Sequence, residues 1–233
     1  YIMALPILNT PKYSLVLPST GKEIEFRPFL MKEQKILMLA QQSDSSKMIS
    51  KSTMDIIKSC TFNAVNEKNP LFDIEYVFLN IRAKSVGETV NLTMTCPDDK
   101  KTKVDVAINL EEIEVQITKN HTTDINIGDG IKMIMGYPTI KDIDFSQKED
   151  PDAAFKVIRA CVKEIHNGDE ISKRSDFSDK ELDEFMDSFN NVQFEKTMQF
   201  FNTMPKVRHE VVLKNPKTKK SSKVVLEGLD SFF

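Results

Sequence analysis

The chain has 233 residues, 40% apolar and 29% charged, with a formal charge of −3. That is the composition of an ordinary soluble globular protein, long enough for one large domain or two small ones. It argues against general nucleic-acid binding, which rests on a basic domain, and the longest purely apolar run, Ile36 to Ala40, is far too short to cross a bilayer.

Tyr1-Ile2 reads as an addition ahead of a natural start at Met3, and no basic stretch followed by an apolar one marks a signal peptide. Tyr13 to Leu17 alternates, Pro18-Ser19-Thr20-Gly21 is a turn cluster, and Lys22 to Phe26 alternates again, which predicts a hairpin. Pro28 ends it. Met31 to Gln42 predicts a helix, Ser43 to Ser46 a polar break, and Thr53 to Ala64 a second helix with Met54, Ile57 and Cys60 on one face. Asp73 is a suitable N-cap for a third helix, striped by Ile74, Val77, Phe78 and Ile81 and stopped by Gly87. Val90, Leu92 and Met94 then alternate, and the turn from Pro97 to Thr102 returns the chain to Val104, Val106 and Ile108.

Ile125 and Ile127 lead through Gly128-Asp129-Gly130 to Ile131 through Met135, a further hairpin ended by Pro138. Pro151 opens a helix whose stripe is Phe155, Ile158, Val162 and Ile165, closed by Asn167-Gly168. Ser178 and Glu181 form a capping box, with Phe177 and Leu182 placed as a staple. Phe194, Met198, Phe201 and Met204 stripe a last helix that Pro205 stops. His209, Val211 and Leu213 are expected to pair across Asn215-Pro216 with Val224 and Leu226.

The plan occurs twice in the same order. Asp55 to Cys60 is echoed by Lys156 to Cys161, Met31-Lys32-Glu33 after Pro28 by Ile140-Lys141-Asp142 after Pro138, and Pro97 with Lys100-Lys101 by Pro216 with Lys219-Lys220. The fold class expected is therefore α+β, two similar tandem units at 1–120 and 121–233. Each unit would pack β-hairpins with α-helices, and the second would carry an inserted helix and a C-terminal tail. Insertions at helix connections cost little.

Catalytic and metal chemistry is sparse. His121, His166 and His209 are each isolated from other ligand types. His121 lies in a polar linker and His166 at a helix end. Cys60, Cys96 and Cys161 are an odd count that fits buried reduced thiols better than a disulfide framework. Cys96-Pro97-Asp98-Asp99 begins like a zinc knuckle but has Asp99 where a second thiol would stand. No phosphate-binding glycine loop and no Gly-x-Ser-x-Gly elbow occurs. No catalytic, cofactor or metal residue is assigned, and a non-enzymatic protein is expected.

Two segments read as candidate partner contacts. The turn from Lys214 to Lys220, with Lys217, Lys219 and Lys220, is either a solvated hairpin tip or a patch for an acidic protein. Nucleic acid is disfavoured because no aromatic residue interleaves with the lysines. Leu229, Phe232 and Phe233 end the chain apolar, where termini are usually polar and frayed. Such a tail either folds back on the core or docks on a partner.

Met3 to Pro11 with Leu17 to Lys22, Phe26 to Lys35, and Phe72 to Tyr76 running on to Ile81 through Glu88 resemble the T-even-type bacteriophage baseplate hub assembly proteins. The likeness is looser from Pro138 onward. It implies a late phage protein of the host cytoplasm or the virion tail. Its partners would be hub or tape-measure proteins, and it would act as an assembly chaperone or as a permanent hub subunit.

Overall fold

A computed structural model describes residues 9–42, 46–142, 151–228 and 231. Among these it is α+β, with six α-helices and eleven strands in small sheets. The chain opens with β1 (Tyr13–Val16) and β2 (Glu23–Phe26), in register Leu15↔Ile24. Leu15, Ile24 and Phe26 are buried while Ser14, Glu23 and Glu25 are exposed, as period-2 alternation requires. Helix α1 (Met31–Gln42) follows.

Helix α2 (Ser46–Cys60) starts seven residues before the expected Thr53 and stops four before Ala64. No Gly or Pro interrupts 46–52, so the polar segment continues the helix although it lacks apolar periodicity. Phe62 and Asn63, at φ 53° and 64°, end it in the left-handed region. Helix α3 (Leu71–Val86) also begins early, directly after Pro70, so Asp73 sits inside the first turn rather than capping it.

Strands β3 (Thr89–Thr95) and β4 (Lys103–Asn109) pair as the alternation predicts, with Val90↔Ile108, Leu92↔Val106 and Met94↔Val104. A short strand, β5 (Glu114–Gln116), precedes β6 (Asp124–Gly128) and β7 (Ile131–Met135). Helix α4 (Pro151–Cys161) ends earlier than expected. Val162 to Asn167, read as its last turns, are instead strand β8 (Val162–Asn167), and Asn167-Gly168 turns the chain into β9 (Glu170–Lys173). Val162 and Ile165, three apart, have helical spacing, and they share a face of the strand only because the ladder is bulged between Val162 and Glu164. The free side of β7 decides, because β8 pairs with it through Met133↔Ile165 and Ile131↔Asn167.

Helix α5 (Asp179–Asp187) carries the predicted Ser178–Glu181 capping box. Helix α6 (Asn191–Thr203) carries an equivalent one from Asn190 and Gln193. Strands β10 (Lys206–Lys214) and β11 (Ser221–Glu227) close the fold with Val211↔Val224 and His209↔Leu226.

One turn recurs in three hairpins. Leu17 N–H donates to Lys22 O at 2.9 Å and Gly21 N–H to Leu17 O at 2.8 Å. Cys96 N–H donates to Thr102 O at 2.8 Å and Lys100 N–H to Cys96 O at 3.0 Å. Asn215 N–H donates to Lys220 O and Lys219 N–H to Asn215 O, both at 2.9 Å. Pro18, Pro97 and Pro216 hold the second position. Gly21, Lys100 and Lys219 hold the left-handed one at φ 67°, 54° and 62°. That conformation costs a lysine about 1–2 kcal/mol more than a glycine.

The chain divides into two compact units. One comprises Tyr1–Asn66, Asp73–Glu114 and Val207–Phe233, and the other Glu67–Phe72 and Val115–Lys206. The chain passes between them at 66/67, 72/73, 114/115 and 206/207, and the hairpin from Val207 groups with the first unit. The second unit's core gathers Ile125, Ile127, Met133, Met135, Ile158, Cys161, Val162, Leu182 and Phe200 between the four-stranded sheet β6-β7-β8-β9 and α4 to α6.

Candidate functional site

Among the described residues, three polar clusters bear on function. The first joins β2 to α1 and α2. Arg27 Nη2 donates to Glu33 Oε1 at 2.9 Å and to Ser59 Oγ at 2.8 Å, and Nη1 donates to Pro28 O at 2.9 Å. Glu33 Oε2 accepts Leu30 N–H at 2.8 Å, closing the start of α1. Burial pushes the Glu33 carboxyl up, but Arg27, the Leu30 amide and Lys32 together hold it below the usual carboxylate range. Cys60 lies 3.6 Å from Arg27 Nη1, a neighbour that would favour a thiolate. Burial dominates and pushes the thiol up to about 11, so it stays protonated and inert. Cys161, equally enclosed, is pushed to about 12.

The second cluster surrounds His121, which sequence reading placed in a linker. Nδ1 lies 3.0 Å from Thr203 Oγ1 and Nε2 lies 3.1 Å from Tyr137 Oη. Thr203 Oγ1 donates to Gln199 O at 2.7 Å. It therefore accepts from Nδ1–H, and Tyr137 donates to Nε2. The ring stacks on Tyr137 and leans on Phe200, and burial pulls its pKa below the ordinary value. With both nitrogens engaged, His121 is a packed neutral imidazole. His166 ends no helix: it is in β8, 2.8 Å from Glu164 Oε2. His209 is half-buried in β10.

The third cluster is a clasp between two of the recurring turns. Asn215, buried in the β10–β11 turn, donates Nδ2–H to Asp98 Oδ1 at 2.9 Å, and Thr218 Oγ1 donates to Asp98 Oδ2. Asn215 Oδ1 accepts Lys217 N–H at 2.9 Å, which fixes the turn that presents the lysines. Asp99 turns inward too. It accepts Lys101 N–H and Thr102 N–H at 3.0 Å and Thr102 Oγ1–H at 2.6 Å, and the Thr102 contacts hold its carboxyl far below the usual range. Lys217, Lys219 and Lys220 are all exposed. The clasp sets them beside the turn carrying Lys100, Lys101 and Lys103, which sequence reading did not assign. Among the described residues no three His, Cys, Asp or Glu converge as a metal site. The tail residues Leu229, Phe232 and Phe233 lie outside the described residues.

The model of the family described as T4 bacteriophage base plate protein matches residues 10–233. The chain belongs to this baseplate family. No curated protein and no solved structure matches it.

The baseplate protein also exposes apolar surface. On and beside α1, Leu30, Ile36, Met38 and Leu39 are exposed, and Met31 is 80% exposed. The sequence marks this segment as a helix but does not say which of its apolar side chains are buried. Among the described residues no helix of the baseplate protein is long and apolar enough to cross a membrane. Asp98 carried one faint sequence signal, an acid at the tip of a lysine turn, and nothing local named Asn215 as its partner.

Proposed function

We propose that this baseplate protein is a non-enzymatic tail assembly factor that binds hub or tape-measure components while the baseplate hub is built. Membership of the baseplate family over residues 10–233 carries this reading. The exposed apolar face of α1 supports it, since large solvent-facing apolar side chains on one helix mark protein contact surfaces. Leu229, Phe232 and Phe233 are proposed as a further contact, with the lysine turn.

Purified virions and the baseplate intermediates of infected cells, compared by mass spectrometry, test it. An assembly factor is found with the intermediates and is missing from virions. A chain present in virions at a fixed ratio to other baseplate proteins would instead make it a permanent hub subunit.

We also infer that the chain is a tandem duplication. The support is a repeated junction. The residue after the first hairpin of each half donates its N–H to the carbonyl of a buried cysteine that ends a later helix, α2 in the first half and α4 in the second. Arg27 donates to Cys60 O at 2.9 Å and Gly136 to Cys161 O at 2.6 Å. A crystal structure in which the β1–β2 hairpin with α2 and the β6–β7 hairpin with α4 fail to superpose would overturn it.

A further inference from the structure

We propose that the two clasped hairpin tips form one basic docking surface for a carboxylate-rich face of another baseplate protein. The proposal rests on the assembly reading above and adds the site and the chemistry of its partner.

The charge is concentrated far beyond the chain's average. Residues 96–103 carry three lysines and 214–220 carry four, against Asp98 and Asp99. That is a formal +5 on two short turns of a chain whose total is −3. Every one of these lysines is exposed. Both aspartates are occupied by hydrogen bonds within the clasp, Asp98 with Asn215 and Thr218 and Asp99 with its own turn.

Lysines at strand ends discourage edge pairing, and one or two at each tip would do that. Edge protection does not account for a carboxylate that ties two such tips together. The clasp holds two lysine-bearing turns against each other, and an acidic protein surface offers the matching charges. Complementary fields of this kind steer encounter and fix register.

Nucleic acid fits less well. Neither turn carries an aromatic residue to stack on a base, and the rest of the chain, at a formal −8, repels an extended polyanion.

The test is binding of fluorescent poly-L-glutamate to the full chain at low salt. Charge reversal of either tip, K100E/K101E/K103E or K217E/K219E/K220E, is expected to weaken binding by about tenfold. The control K119E/K132E/K180E, with the same charge change elsewhere, should have little effect. Asp98→Ala separates a joint surface from simple charge. It makes the chain more positive, yet binding should fall because the tips come apart. Circular dichroism melting establishes that each variant is folded. If Asp98→Ala is not, Thr218→Val removes a single clasp contact instead.

The proposal is overturned if either tip reversal behaves like the control, or if Asp98→Ala binds as well as or better than the parent chain. It also falls if duplex DNA or anionic phosphatidylglycerol vesicles bind more tightly than poly-L-glutamate at equal salt. Co-purification of baseplate proteins from infected cells, read by mass spectrometry, keeps the two readings apart. If the parent chain and both tip reversals retain the same baseplate proteins, the tips are irrelevant and the assembly role stands. If the parent chain retains none, the assembly role itself fails.

Discussion

Arg27 and Glu33 form a 2.9 Å ion pair with side chains only 12% and 4% exposed, one on the exit of β2 and the other in the first turn of α1. Three elements converge there, because Ser59 at the end of α2 accepts from the same guanidinium and donates to Glu33 Oε1 at 3.2 Å. The pair fixes the angle at which α1 leaves the hairpin, and so which side of α1 faces solvent.

Breaking one side of a buried pair leaves the other charge unsatisfied, at a cost of about 3–5 kcal/mol. Glu33→Ala should therefore lower the urea midpoint strongly, and Glu33→Gln less, because an amide oxygen can still accept Leu30 N–H. The folded carboxyl lies below its ordinary 4.5. Its contribution is present above about pH 4.5 and is lost as pH falls through the folded value. Urea titrations of the parent chain should show that loss, and Glu33→Gln should lack it. Equal midpoints for the parent chain and Glu33→Ala would refute the role assigned to the pair.

His121 should weaken the fold at a higher pH. Burial lowers its folded pKa below the ordinary 6.5. The unfolded chain takes up the proton first, so this contribution is complete above about pH 6.5 and declines below it. Proton NMR should place the ring's titration below 6.5. Melting temperature should fall between about pH 7 and pH 5 in the parent chain, and less so in His121→Gln. A His121 titration above the ordinary value would sink this account.

Asn215 is buried, and its side chain serves both its own turn and Asp98. Asn215→Ala deletes those bonds and should cost about 1–3 kcal/mol, read as a drop in thermal stability. Asn215→Asp keeps the acceptor for Lys217 N–H but faces Asp98 with a second carboxylate. It should be destabilised at neutral pH and recover when combined with Asp98→Asn. Failure of that rescue would show that the clasp does not depend on the Asp98 contact.

Deleting Phe232 and Phe233 tests the tail. A docking tail leaves the melting curve nearly unchanged and removes co-purification with baseplate proteins. A folded-back tail lowers stability by about 1.5–3 kcal/mol per buried side chain and leaves binding intact. No change in either measurement would remove the tail from the proposed contacts.

Much of the secondary structure was legible in the sequence because its causes are local. The alternation of Val90, Leu92 and Met94 carried β3 and its pairing, Ser178 with Glu181 carried the start of α5, and Met31 to Gln42 was read at its observed limits. Tertiary structure alone decided the rest. Val162 and Ile165 stand at helical spacing, and pairing with the free backbone of β7 made the segment a bulged strand instead. His121, among polar neighbours in sequence, is enclosed by Tyr137, Phe200 and Thr203. Asp98 meets Asn215 across 117 positions, and the closing hairpin joins the first compact unit. Periodicity and capping act within a few residues, whereas burial and hydrogen-bond satisfaction are settled by whichever surface the folded chain brings near, which no short window of sequence contains.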